Sequence, residues 1–116
     1  MVDVKKATLA DQAQINRLAR FAQALSDPVR MHILALLLEG KGGCCPIDVA
    51  KPTIGVCVCE ITEHLGLSQS KVSYHLAKLK KVGLIEEERF GKWNHYMVNH
   101  QVVNDFITAY SGFFSC

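Results

Sequence analysis

The feature that most constrains this chain is the tripeptide Gly66-Leu67-Ser68, set between two short segments of helical periodicity. Gly66 is a stop signal for the first segment and Ser68 an N-cap for the second. The first reads as a helix from Val58 to Leu65. The second runs from Gln69 to about Val82 and stops at Gly83, with Val72, Leu76 and Leu79 as its expected buried face. Two β-rich runs follow, Leu84 to Phe90 and Trp93 to Val98, joined by a turn at Gly91-Lys92.

Three further helices surround this unit. Residues 9–25 carry Ile15, Leu18, Ala22 and Leu25 at helical spacing. Asp27 is a good N-cap and Pro28 a good first helical residue, so a second helix is expected from Pro28 to Glu39, with Met31, Leu34, Leu37 and Leu38 facing the core. Residues 41–56 hold Pro46, Pro52 and several glycines and read as the longest irregular stretch. A last helix, His100 to Phe114, presents Val103, Phe106, Ile107, Tyr110 and Phe114 as a wide apolar stripe. The expected fold is mainly α with a small β-hairpin wing, in the order α-α-α-α-β-β-α. Two short helices, a tight turn and a hairpin outline a winged helix-turn-helix. With 116 residues, one domain spanning residues 1–116 is expected. A core this small gains stability from pairing with a second copy.

Net charge is only +2, but its distribution is uneven. No Asp or Glu lies between His64 and Ile85, while Lys71, Lys78, Lys80 and Lys81 do, and Arg89 and Lys92 follow. Such local positive charge attracts a phosphate backbone. The second helix of the pair would carry Gln69, Ser70, Lys71, Ser73, Tyr74, His75 and Lys78 outward. Gln69, Ser70, Ser73 and Tyr74 suit base edges, and Lys71 and Lys78 suit phosphates. Arg89 and Lys92 at the hairpin tip suit a neighbouring groove or backbone. Trp93 and Tyr96 read as packing residues. The expected partner is double-stranded operator DNA, with half-sites about one helical turn apart. The chain shows no nucleophile–base pair, phosphate-binding glycine loop or paired carboxylates, so an enzyme with a small-molecule substrate is not expected. The longest apolar run, Ile33 to Leu38, is far short of the ~20 residues that span a membrane. No secretory signal is evident, and the cytoplasm is the expected location.

Five cysteines are many for such a protein, and Cys44, Cys45, Cys57 and Cys59 lie close together in sequence, with Cys116 at the last position. In a reducing compartment they point to metal or redox chemistry rather than a disulfide framework. Thiolates select soft, thiophilic ions. Residues two apart do not face each other on a regular helix but do on an extended segment, so one ion reaching Cys57 and Cys59 is expected to fray the first turn of that helix.

The run Cys57-Val58-Cys59-Glu60-Ile61, then Ser68, then Ser73-Tyr74-His75, resembles the signature of the ArsR/SmtB family of metal-sensing repressors, of the arsenical-resistance operon type. Ala24-Leu25-Ser26-Asp27-Pro28-Val29-Arg30 and Arg89-Phe90-Gly91-Lys92 are also similar to the family, and the resemblance spans roughly residues 15–110. Glu60 stands where the family more often has Asp. The resemblance implies a homodimer held by the first and last helices, operator binding by the second helix of the pair and the wing, and release of DNA when metal binds. It implies Cys57 and Cys59 as ligands for arsenic, cadmium or lead. The zinc and nickel sites of relatives use His and carboxylates on the last helix. Here His100 and Asp105 have no second His downstream, so that site is not expected. Trivalent arsenic takes three thiolates, and Sb(III) is an alternative; cadmium, lead and zinc prefer four ligands. Relatives often place a third cysteine where this chain has Thr62, so Cys44 or Cys45, or else Cys116, is the expected third thiolate. With no cysteine before Cys44, arsenic is favoured over cadmium, lead or zinc. A dithiol redox or persulfide sensor on the same scaffold stays open.

Overall fold

The computed structural model describes residues 9–39 and 55–115; Cys44, Cys45 and Cys116 lie outside them. Helix α1 (Leu9–Leu25) leads into α2 (Pro28–Glu39). The two-residue strand β1 (Val56–Cys57) precedes α3 (Val58–Leu65) and α4 (Gln69–Lys81), and then come β2 (Ile85–Phe90), β3 (Trp93–Val98) and α5 (His100–Phe114).

The caps set these bounds. Asp27 Oδ1 accepts the Val29 N–H at 2.7 Å at the head of α2. Ser68 Oγ accepts the Lys71 N–H at 3.2 Å, and Asn99 Oδ1 accepts the Val102 N–H at 3.2 Å. Each such cap is worth about 1 kcal/mol. Gly66 ends α3 in the left-handed region, φ 65°, where its N–H donates to the Thr62 carbonyl at 2.9 Å. A side chain there would strain the turn that aims α4.

The core lies where α2, α3, α4 and the sheet meet. Ile33, Ile61, Leu76, Leu79, Leu84, Ile85, Val56 and Val72 are fully buried. Burying each is worth about 1.5–3 kcal/mol. Helix α5 packs back on α1 through Phe106 and Phe21, whose ring centroids are 5.0 Å apart.

Two expected core faces are rotated. On α1 the buried residues are Leu18, Phe21 and Ala24, and Ile15 is exposed. On α2 they are Ile33, Leu34 and Leu37, while Met31 and Leu38 face outward. So much of α2 is apolar that spacing does not select a face. On α5, Phe106 is buried, but Ile107, Tyr110 and Phe114 of the stripe, together with Phe113, are exposed.

The sheet has a strand more than expected. β3 is central: it pairs antiparallel with β2, from Ile85 opposite Val98 to Phe90 opposite Trp93, and with β1, where Val56 faces Tyr96 and Cys57 faces His95. Gly55 makes that third strand possible. A Cβ at Gly55 would stand 2.9 Å from His95 Cβ and 3.1 Å from the Tyr96 carbonyl oxygen.

Candidate nucleic-acid interface and cysteine pair

Helix α4 turns Val72, His75, Leu76 and Leu79 inward. Positions three and four apart share a helix face, so the opposite side presents Gln69, Ser70, Lys71, Ser73, Tyr74 and Lys78, all exposed. His75 is a correction: expected on the DNA face, it is buried. Its Nδ1 lies 3.1 Å from Arg30 Nη1. A guanidinium only donates, so this nitrogen must accept. Arg30 also donates to the Ala24 carbonyl at 2.7 Å and the Gln23 carbonyl at 3.3 Å. One side chain thus ties the α1–α2 corner to the reading helix. Arg30 was read only as part of a motif, and only the fold reveals this role.

Lys80 is drawn the other way, towards the wing. Its Nζ meets Glu87 Oε1 at 2.6 Å, and the Tyr96 hydroxyl donates to Glu87 Oε2 at 2.7 Å. The Lys80 and Tyr96 hydrogen bonds outweigh partial burial and hold the Glu87 carboxyl below its ordinary range. Burial first, and then the carboxylate it faces, push the Tyr96 hydroxyl upward, so it remains a donor. These contacts fix β2 and β3 against α4. At the tip, Arg89 Nε donates to the Gly91 carbonyl at 3.0 Å, and Lys92 Nζ lies 5.4 Å from the Trp93 ring centroid. Arg89 and Lys92 are both exposed.

The cysteine pair sits at the strand-to-helix junction. Cys57 is extended, φ −77° and ψ 149°, and caps α3: its Sγ accepts the Cys59 N–H at 3.3 Å. Cys59 lies in the first turn. The two sulfurs meet in a Cys57–Cys59 disulfide, with Cα atoms 5.4 Å apart. Pairing two residues apart was expected to need an extended or unwound chain, and the chain is extended at Cys57. β1 supplies the extended residue that two-apart pairing demands, so the sulfurs come together with α3 helical from Val58. A helix N-terminus favours thiolate at both positions once reduced.

Thr62 Oγ1 donates to the Cys59 carbonyl at 2.7 Å, so this hydroxyl turns back onto its own helix. Among the described residues no three His, Cys, Asp or Glu converge as a metal cage. The pair offers two sulfurs at one point, and the other three cysteines, Cys44, Cys45 and Cys116, lie outside the described residues. His95, by type a surface or packing residue rather than a ligand, is buried and in register with Cys57. The register of β1 on β3 was the missing signal. His100 and Asp105 on α5 are exposed.

A helix-turn-helix braced by a hairpin, with a polar and basic outer face, defines a winged-helix DNA-binding protein. Known proteins agree. Residues 56–87 match the family described as "Bacterial regulatory protein, arsR family". The regulator YbzH of Bacillus subtilis (strain 168) is 38% identical over 82 residues, covering 70% of this chain and 82% of that protein. The arsenical resistance operon repressor of the same organism is 32% identical over 102 residues, 84% of each chain. The homodimeric winged helix-turn-helix domain Mb0332 of Mycobacterium bovis, solved by NMR, has a TM-score of 0.68 at 24% identity, over 91% of this chain and 86% of that one. This chain belongs to the ArsR family of transcriptional repressors, which are DNA-binding regulators rather than enzymes. Among the described residues no helix is long and apolar enough to cross a membrane.

Proposed function

We propose that this protein is an arsenic-responsive operator repressor, dimeric and acting in the cytoplasm, where its thiols stay reduced. Gln69, Ser70, Ser73 and Tyr74 meet base edges, Lys71 and Lys78 meet phosphates, and Arg89 and Lys92 reach a neighbouring groove or backbone. As(III), or Sb(III) of like chemistry, is held by Cys57, Cys59 and a third thiolate from Cys44 or Cys45, with Cys116 the other candidate. The observation that carries this reading is the meeting of the Cys57 and Cys59 sulfurs at the base of α3. Sulfurs that reach each other can also reach one ion between them.

Helix α3 packs directly on α4. Drawing a third thiolate to the junction re-aims α3, and with it the reading helix. The ion releases DNA only to the extent that it binds the re-aimed state more tightly. Dimerisation is supported by the outward apolar side chains of α1 and α5: Ile15, Ile107, Tyr110, Phe113 and Phe114. An exposed apolar surface of this kind marks an interface. A homodimer also matches an operator with two half-sites about one turn apart. The test is an operator complex titrated with arsenite and, separately, with cadmium. Release by arsenite near one equivalent per protomer is expected. A complex that survives arsenite sinks the arsenic reading, and release by cadmium alone favours a cadmium, lead or zinc sensor.

The Cys57–Cys59 bridge itself favours a second reading, a dithiol redox or persulfide sensor. A peroxide would take two electrons and two protons from the thiols as the S–S bond forms. Intact-mass measurement separates the two readings. Peroxide-induced release with loss of two hydrogens marks redox sensing, and an arsenic adduct marks metalloid sensing.

A further inference from the structure

Outside the cysteine pair, the strongest unassigned feature is a hollow of about 490 Å³ walled by α1, α2, α4 and α5. Arg17 and Arg20 enter it from α1, Arg30 from α2, and Lys78 and Lys81 from α4, with Tyr74 beside them. Among the described residues no carboxylate lines it. Five cations within one hollow, on a chain of net charge only +2, repel one another. An anion seated among them would relieve that repulsion.

Three of the five cationic side chains are held in place before any ligand arrives. Arg30 is anchored by the Gln23 and Ala24 carbonyls and by His75. Arg17 lies over the Phe21 ring, 5.6 Å from its centroid, and Lys78 lies 5.3 Å from the Tyr74 centroid. Asp27, the carboxylate whose charge acts on Arg30, is already engaged with the Val29 N–H. The hollow also continues the outer face of α4, because Tyr74 and Lys78 belong to both.

We propose that this hollow seats a backbone phosphate of the bound DNA strand, extending the footprint beyond α4 and the wing to Arg17 and Arg20 of α1. The inference rests on the operator-binding reading. The chemistry recognised is a phosphate oxyanion, and continuity with the reading helix favours a phosphodiester of DNA over a free phosphate. The contact is blind to sequence, since phosphates carry no base information.

The test takes one variant from each wall, Arg20→Ala and Lys81→Ala, with Arg20→Lys as the charge-keeping control. Both residues are exposed, so folding should persist; circular dichroism and sedimentation check fold and dimer. Binding to operator and to scrambled duplex is measured across a salt series. Each alanine should weaken both duplexes by a similar factor, about fivefold at 0.15 M salt, and lower the salt slope by about 1. Arg20→Lys should restore the slope. An unchanged slope in folded, dimeric variants overturns the proposal. So does weakening confined to the operator, because that marks base reading. In a parallel arm, inorganic pyrophosphate is titrated against amide resonances of residues 17–24 and 74–82. Tight pyrophosphate binding with DNA affinity unaffected by the alanines overturns the proposal in favour of a free anion. Failure of the operator reading is distinguishable: the wild type would not prefer operator to scrambled duplex, while the salt slopes on scrambled duplex would still test the hollow.

Discussion

The reading helix and the cysteine pair meet at α3, yet they are built in opposite ways. The described residues hold α4 with many groups: the Ser68 cap, the Gly66 turn, the buried Val72, Leu76 and Leu79, the Arg30–His75 tie, and the Lys80–Glu87–Tyr96 clasp to the wing. The cysteine pair is incomplete by comparison. It brings two sulfurs to one point, and among the described residues no third His, Cys, Asp or Glu joins them in a metal cage. The lesson is a division of labour. A surface that must present one arrangement to DNA is fixed by local contacts. The cysteine pair, on the proposed reading a sensor that must change state, draws only two sulfurs from the described fold.

Substitutions should separate these two regions by the size of their effects. The largest effect is expected from Leu76→Ala. Leu76 is fully buried beneath α4, and its truncation should cost about 2–5 kcal/mol in a denaturant melt. DNA binding should fall with the fold, while any bridging of Cys57 and Cys59 in the remaining native fraction is unaffected. Next is Gly55→Ala, whose Cβ would press on His95 and the Tyr96 carbonyl. It should cost about 1–3 kcal/mol and pull β1 away from β3, so arsenite response should suffer more than DNA affinity. If DNA affinity suffers more, β1 belongs to the reading machinery instead.

Ser68→Ala should remove about 1 kcal/mol by leaving the Lys71 N–H unsatisfied, with a matching loss of operator affinity and no change in arsenite response. The smallest effect concerns pH. Glu87 has a carboxyl held below its ordinary value of 4.5, so its native form binds fewer protons than its unfolded form. Its contribution is therefore present above that value and is lost as pH falls through the lower native value. Glu87→Gln should flatten this part of an acid melt and lower stability at neutral pH by about 0.2–1 kcal/mol, because the pair is largely solvated.

Much of the reading region was legible in the sequence because caps and glycines mark helix ends by local chemistry. Asp27, Ser68 and Gly66 each do in the structure what their residue types suggest. Legibility stopped where tertiary packing chooses among local options. His75 looks like a polar reader by type, but its position on α4 points it at Arg30. Met31 and Leu38 look like core, but α2 has more apolar residues than one face can bury. At the candidate site, the Cys57-Val58-Cys59 motif stood out, whereas the geometry that joins its sulfurs did not. That geometry depends on β1, a strand of two residues, too short to show any alternation.

The most direct test of thiolate sensing separable from DNA reading is operator binding by the Cys57→Ser/Cys59→Ser double variant, with and without arsenite. Without arsenite its affinity should match the wild type within about twofold, since both cysteines belong to the β1–α3 junction and not to α4. With arsenite the wild type should lose affinity by about 5–150-fold, the usual range of allosteric coupling, and the variant should lose none. A variant still released by arsenite, or one that no longer binds operator without it, would contradict the separation.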